Sequence, residues 1–160
     1  MKILALLAVF LALPLFAQTT PPANIYAAGA SYNNSGTPAV DGTALYAHLV
    51  NDGSGTYVFT IVDALPQSVK PLTVTTNVGA GIAQKIFSAG PISVYVPTSA
   101  GISWTGSNTG WAWTTGGMAT IPIKSGSGWF VGPNVRVLKS SVAGGTGYQL
   151  IGGVMVGWGK

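Results

Sequence analysis

The sequence predicts an all-β fold of eight antiparallel strands, and three observations carry that expectation. After the first two dozen residues, apolar side chains recur at every second position, the spacing that puts them on one face of a strand. Clusters of Gly, Ser, Asn, Asp and Pro break the alternation where hairpin turns would fall. Charge is scarce: 6% of the 160 residues are charged and 48% hydrophobic, whereas an ordinary soluble domain is about 25% charged.

The composition also excludes several classes. The chain has no cysteine, so a disulfide framework, a zinc ribbon and a thiol nucleophile are ruled out. Seven Lys and Arg stand against three acidic residues, all Asp. The pI is near 9.5, but so few cations are too sparse to track a phosphate backbone, and no nucleic-acid partner is expected. The hydrophobicity argues against disorder. Without a linker or a repeat beyond the strand period, a single domain is expected.

The first residues read as an address. Met1-Lys2 is a short positive region, and Ile3 to Phe16 is a nearly unbroken apolar run. That run falls short of the ~20 residues of a membrane-spanning helix and fits a secretory h-region. Cleavage is expected after the small Ala17, leaving residues 1–17 as signal peptide and 18–160 as the mature domain.

The expected strands then follow in order. The first, 24–33, sets Tyr26, Ala28, Ala30 and Tyr32 against Ala27, Gly29 and Ser31. The second, 42–50, sets Leu45, Ala47 and Leu49 against Tyr46 and His48. The third, 56–63, sets Tyr57, Phe59 and Ile61 against Val58, Thr60 and Val62. The fourth, 72–84, has the clearest split: Leu72, Val74, Thr76, Val78, Ala80 and Ile82 oppose Thr73, Thr75, Asn77, Gly79, Gly81 and Ala83. The fifth, 92–104, opposes Ile92, Val94, Val96 and Ile102 to Ser93, Tyr95, Ser99 and Ser103. The sixth, 110–123, opposes Trp111 and Trp113 to Ala112 and Thr114, and its phase is lost at Gly116-Gly117, where a bulge is expected. The seventh, 129–139, opposes Trp129, Val131, Val135 and Val137 to Gly132, Asn134 and Arg136. The eighth, 147–159, opposes Tyr148, Leu150, Val154, Val156 and Trp158 to Gln149, Ile151, Gly153 and Met155. Short turns such as 51–55, 105–109 and 124–128 make sequence neighbours hairpin partners.

Eight such strands suit an up-and-down barrel of either orientation. A soluble barrel buries its bulky face, and an outer-membrane barrel shows that face to lipid. Two features favour lipid. The smaller face is mostly Gly, Ser, Thr, Ala and Asn, and no charge occurs from Ile86 to Ile123. Such side chains suit the narrow lumen of an eight-stranded barrel. With the N-terminus on the periplasmic side, Tyr32, Trp104, Trp111 and Tyr148 fall near the outer strand ends, and Tyr26, Tyr57, Phe87, Trp129 and Trp158 near the periplasmic ends. Two aromatic levels are the expected membrane-interface girdles. The bulky faces are therefore expected outside, with Asn77, Asn134, Arg136 and Gln149 lining the lumen.

On these features the chain resembles the small eight-stranded outer-membrane β-barrel proteins of Gram-negative bacteria, the OmpA- and OmpX-like architecture. The resemblance lies in pattern, and it covers the signal peptide and the whole mature chain. Its most specific part is the last strand, where Tyr148, Leu150, Val154, Val156 and Trp158 resemble the terminal signal read by the outer-membrane assembly machinery. It implies an outer-membrane monomer with lipid and that machinery as partners.

Residues able to carry chemistry are few. His48 is the only histidine, and Asp41, Asp52 and Asp63 are the only carboxylates. A triad of His48, Asp41 and one of many serines is conceivable, but nothing singles out a nucleophile. One His and separated Asp residues make no metal-ligand cluster. No catalytic, cofactor or metal site is expected. Arg136 needs partners if it faces inward, and Asp63, Asn77, Asn134, Gln149 or lumen water are the candidates. It would plug the lumen rather than select ions. Lys70 and Lys139, near the outer ends, would be within reach of lipid phosphates. The expected role is envelope structure or surface contact without an open pore. The alternatives are a secreted soluble β-sandwich or barrel, an adhesin or a phage-encoded structural protein, and, less favoured, a lipid-acting barrel enzyme.

Overall fold

A computed structural model describes residues 21–33, 39–69, 72–142 and 148–160. The expected signal peptide at 1–17 and Lys70 lie outside the described residues. Eight strands are present: β1 (Asn24–Asn33), β2 (Ala39–Asn51), β3 (Thr56–Val69), β4 (Leu72–Ala89), β5 (Ile92–Thr105), β6 (Asn108–Pro122), β7 (Trp129–Ser140) and β8 (Tyr148–Gly159). Each pairs with its sequence neighbour, and β1 pairs antiparallel with β8, closing the barrel. Closure removes both sheet edges, so every strand finds a partner on each side.

The register sets the tilt. A path of paired residues leaving β1 at Asn24 runs through His48, Val58, Ile82, Thr98, Thr115, Val137 and Leu150. It returns beside the Ile151–Asn33 pair, at the opposite end of β1. That stagger inclines the strands to the axis by the roughly 35–45° typical of barrels. Tight turns join β4 to β5 and β5 to β6, with Gly90 and Gly106 at φ 56° and 58°, the left-handed backbone that hairpin turns of this size require.

Several strands run further than their sequence pattern. β2 begins at Ala39 rather than 42, β3 reaches Val69 rather than 63, and β4 reaches Ala89 rather than 84. Pro66 in β3 and Lys85 in β4 are where the alternation stops being legible, because the register shifts between Pro66 and Ser68 and between Lys85 and Phe87. Pro66 has no N–H to give to the ladder, and a bulge accommodates it. The bulge expected at Gly116-Gly117 is absent: Gly116, Gly117 and Met118 face Arg136, Val135 and Asn134 in continuous register. The apolar phase fades there because Met118 is turned inward and buried.

Six strands face as their alternation suggests, apart from Ile92 at the start of β5, which is buried, and two are reversed. In β2, Leu45 and Ala47 are buried and Tyr46 is exposed; in β3, Tyr57, Phe59 and Ile61 are buried and Val58 and Val62 are exposed. The cause is parity. Leu45 shares its face with Asp41 and Thr43, and Phe59 shares its face with Asp63. A carboxylate taken out of water needs a partner, and the partner is inside the barrel, so the bulky residues of both strands turn in with it.

The interior is therefore layered. Toward the chain ends it is apolar, with Ile25, Leu45, Tyr57, Phe59, Ile61, Tyr95, Met118, Phe130 and Met155 among one buried cluster. A smaller cluster of Leu65, Ala112, Leu138 and Ile151 is packed elsewhere in the interior. Buried polar side chains complete the filling. Small residues set the closeness of the wall: a Cβ on Gly101 would lie 1.9 Å from the Val78 carbonyl oxygen of β4, so only glycine permits that approach.

Candidate functional site

The barrel presents two surfaces, a lumen with a polar centre flanked by apolar packing and an apolar outer wall. In the lumen, Thr43, Asp63, Asn77 and Ser103 occupy successive paired positions across β2 to β5. Arg136 reaches them from β7, four strands away from β3 in either direction. Its Nη2 donates to Asp63 Oδ1 at 2.9 Å and to Thr43 Oγ1 at 2.9 Å, and its Nη1 donates to Asp63 Oδ2 at 3.2 Å. Thr43 Oγ1 donates in turn to Asp63 Oδ1 at 2.7 Å. Arg136 is 3% exposed and Asp63 1%.

This is a forked, charge-assisted pair that ties opposite walls together across the full width of the barrel. Gly116 makes room for it, since a Cβ there would lie 3.0 Å from Arg136 Cγ. Around the pair, Asn77 and Asn134 are buried with no protein partner for either amide atom, as are Thr114 Oγ1, Arg136 Nε and Gln149 Oε1. A void of about 10 Å³ lined by Asp63, Asn77, Ser99 and Thr114 has room for about one water. Nearer the chain ends Tyr57 and Tyr95 meet edge to face, with centroids 5.7 Å apart. Tyr57 Oη donates to the Pro22 carbonyl at 2.9 Å. Beyond these rings the barrel opens into a mouth of about 590 Å³ lined by Lys85, Asp52, Ser93, Thr120, Lys124 and Trp129, among others.

The outer wall is the inverse. Val58, Val62, Val78, Ile82, Ile102, Val135, Leu150, Val154 and Val156 are all exposed. Toward the chain ends Tyr26 pairs with Tyr46 on one side and Trp158 on the other, and Trp158 pairs with Trp129. The Tyr26 ring lies 5.1 Å from Tyr46 and 6.2 Å from Trp158, so four strands share one aromatic patch. Tyr46 Oη donates to Asn24 Oδ1 at 3.0 Å, and His48 Nδ1 lies 2.9 Å from the same oxygen. Toward the other end stand Tyr32, Trp104, Trp111, Trp113 and Tyr148, all exposed.

Of the aromatic residues expected at the outer surface, Tyr26, Tyr32, Phe87, Trp104, Trp111, Trp129 and Tyr148 are exposed and Trp158 is half-buried on the outer face. Tyr57 is the correction. It is 1% exposed and points into the lumen, because it shares its face of β3 with Asp63. Of the expected lumen residues, Asn77, Asn134 and Arg136 are buried inside, and Gln149 is half-buried with its Oε1 enclosed. Sequence reasoning missed Thr43, which completes the Arg136 network, and placed Tyr46 on the wrong face of β2, whereas Trp113 is exposed on the outer wall as its alternation with Trp111 suggests. The available signal was parity: Thr43 lies two residues from Asp41, and Tyr46 lies between inward positions.

Catalytic groups are not brought together. His48 lies on the outside of the wall beside Asn24, and Asp41 is buried on the inside, so the sheet itself separates a base from its orienting acid. Among the described residues no group of three or more His, Cys, Asp or Glu is placed to hold a metal.

These features define a class: an all-β, closed, eight-stranded antiparallel barrel with a filled, polar-centred interior. No family model matches the sequence, and no curated protein matches it. Among solved structures the fold is similar to a chain described under "De novo design of transmembrane beta-barrels", with a TM-score of 0.50 and 13% identity over 88% of this chain and 99% of that one.

Proposed function

We propose that the chain is an outer-membrane β-barrel without enzymatic activity, exported by a signal peptide at residues 1–17 and acting as a monomer. One observation carries this reading: charge is distributed inside out, beneath an outer wall of exposed Val, Ile, Leu, Tyr and Trp side chains. Asp41, Asp63 and Arg136 are buried in the lumen, and among the described residues Lys139 is the only charged side chain that the strands turn outward. Water rewards charge on an outer surface, and lipid penalises it. The strand lengths agree, since each spans at least 10 residues and a tilted strand crosses a bilayer with about 9–11. The likeness to a solved chain described in terms of transmembrane barrels supports the same reading.

The role is envelope structure or surface contact through short polar turns. The Arg136–Asp63 tie and the apolar layer beneath it fill the lumen, in keeping with a barrel that does not conduct. Outer-membrane lipid and the outer-membrane assembly machinery are the partners, the latter meeting the alternating apolar residues of β8. Heat-modifiable migration in SDS gels tests the reading, because a closed barrel stays folded until boiled. Fractionation completes the test: the mature chain is expected in detergent-extracted envelope. Recovery from the periplasm or medium without detergent would overturn the proposal in favour of a secreted soluble barrel.

A further inference from the structure

Among the described residues, the one charge that the strands turn outward is a held group. Lys139 is the penultimate residue of β7, at the end of the barrel away from the chain ends. Its pairing partners are Trp113 on β6 and Tyr148 on β8. Its Nζ lies 5.8 Å from the centroid of the Trp111 ring and 4.9 Å from that of Tyr148. It also donates to Tyr148 Oη at 3.4 Å. That bond uses one of three ammonium donors and leaves two for a ligand. The aromatic faces restrain the amine by cation–π attraction but cannot neutralise it.

A neutralising anion is not at hand on this wall among the described residues. Asp41 and Asp63 are inside the barrel, and Asp52 lies in the turn between β2 and β3, at the opposite end. We propose that Lys139, Trp111 and Tyr148 form a docking site for the phosphate of an anionic lipid headgroup. This rests on the membrane reading above and extends it to a particular lipid chemistry. The amine supplies charge and two N–H donors. Tyr148 supplies a hydroxyl beside it. The exposed Val135 and Leu150, on the same and the neighbouring strand, supply an apolar surface along which acyl chains lie. A free phosphate would use the first two and gain nothing from the third, so a lipid is the occupant.

The test uses the full chain folded in zwitterionic micelles, with tryptophan fluorescence followed during titration with short-chain phosphatidylglycerol, phosphatidylcholine or inorganic phosphate at constant ionic strength. Phosphatidylglycerol is expected to give a saturable response that Lys139→Gln weakens about fivefold, the loss expected for one cation near an anionic surface. Lys139→Arg, which keeps the charge, is expected to retain it, and Lys124→Gln, in a turn at the other end, to match the native chain. An unchanged response in Lys139→Gln, an equal response to phosphatidylcholine, or saturation by inorganic phosphate at the same concentrations would overturn the proposal. Failure of the membrane reading has a separate signature, a chain that stays soluble without detergent.

Discussion

Removing the Arg136 guanidinium is the sharpest perturbation of the barrel's interior. In Arg136→Ala, Asp63 loses two N–H donors at 2.9 and 3.2 Å and keeps only the 2.7 Å bond from Thr43. Asp63, 1% exposed in the native barrel, is left with no opposing charge across the lumen. Breaking a buried pair in this way costs about 3–5 kcal/mol. The polar neighbours Asn77 and Asn134 and the space left by the arginine admit water, which places the expected loss near the lower end, about 3 kcal/mol. With a urea dependence of about 2 kcal/mol per molar for a small domain, the unfolding midpoint should fall by roughly 1.5 M. The assay is urea unfolding in detergent, followed by tryptophan fluorescence and by the folded and unfolded bands of unheated gels. The double variant Arg136→Met, Asp63→Leu removes both charges together, and it is expected to recover at least half of the loss, since an apolar pair of similar bulk is often as stable as a buried ion pair. A single-variant loss under about 1 kcal/mol, or a double variant no better than the single one, would refute the argument that Asp63 is held inside by Arg136.

Three further outcomes follow from the same geometry. Val78→Arg places a charge on the exposed outer wall of β4 and should cost about 2–4 kcal/mol in lipid vesicles if the site lies near mid-bilayer; a variant as stable as the native chain there would count against a lipid-facing wall. Gly101→Val should sharply reduce the yield of heat-modifiable barrel, because a Cβ at 1.9 Å from the Val78 carbonyl forces β4 and β5 apart; normal folding would show that the approach is not required. Tyr57→Phe keeps the ring against Tyr95 and loses the hydroxyl, with its 2.9 Å bond to the Pro22 carbonyl and its contact with the Tyr95 hydroxyl, so a loss of about 1–2 kcal/mol is expected in the same urea assay, and a loss above about 3 kcal/mol would mean that the hydroxyl has another role.

Much of the barrel is legible residue by residue, and the two reversed strands show where legibility ends. Alternation in β4 separates Val78, Ala80 and Ile82 from Thr75, Asn77 and Ala83, and the exposed and buried sets are those same residues. In β2 and β3 bulk points the other way from charge. Taken by themselves, Tyr57, Phe59 and Ile61 look like the lipid face because they are larger than Val58, Thr60 and Val62. Asp63 carries the opposite instruction, since it shares their parity and is the natural partner of an inward Arg136. Weighing a buried charge pair above side-chain size would have turned both strands and moved Tyr57 into the lumen. The register shifts at Pro66 and Lys85 carry no comparable signal, because a bulge depends on how two strands meet.

The sequence by itself determined the number of strands, their order, the hairpin connections and the scarcity of charge on the outer wall, because local alternation and turn chemistry are properties of a few adjacent residues. It also determined that Arg136 would need a buried partner. Only the tertiary structure decided which partner it takes, which face of β2 and β3 lies inside, and that Thr43 completes the network. Those outcomes depend on residues from β2, β3 and β7 converging across the lumen. A period of two defines two faces for every strand, and the closure of the whole barrel decides which of them is the interior.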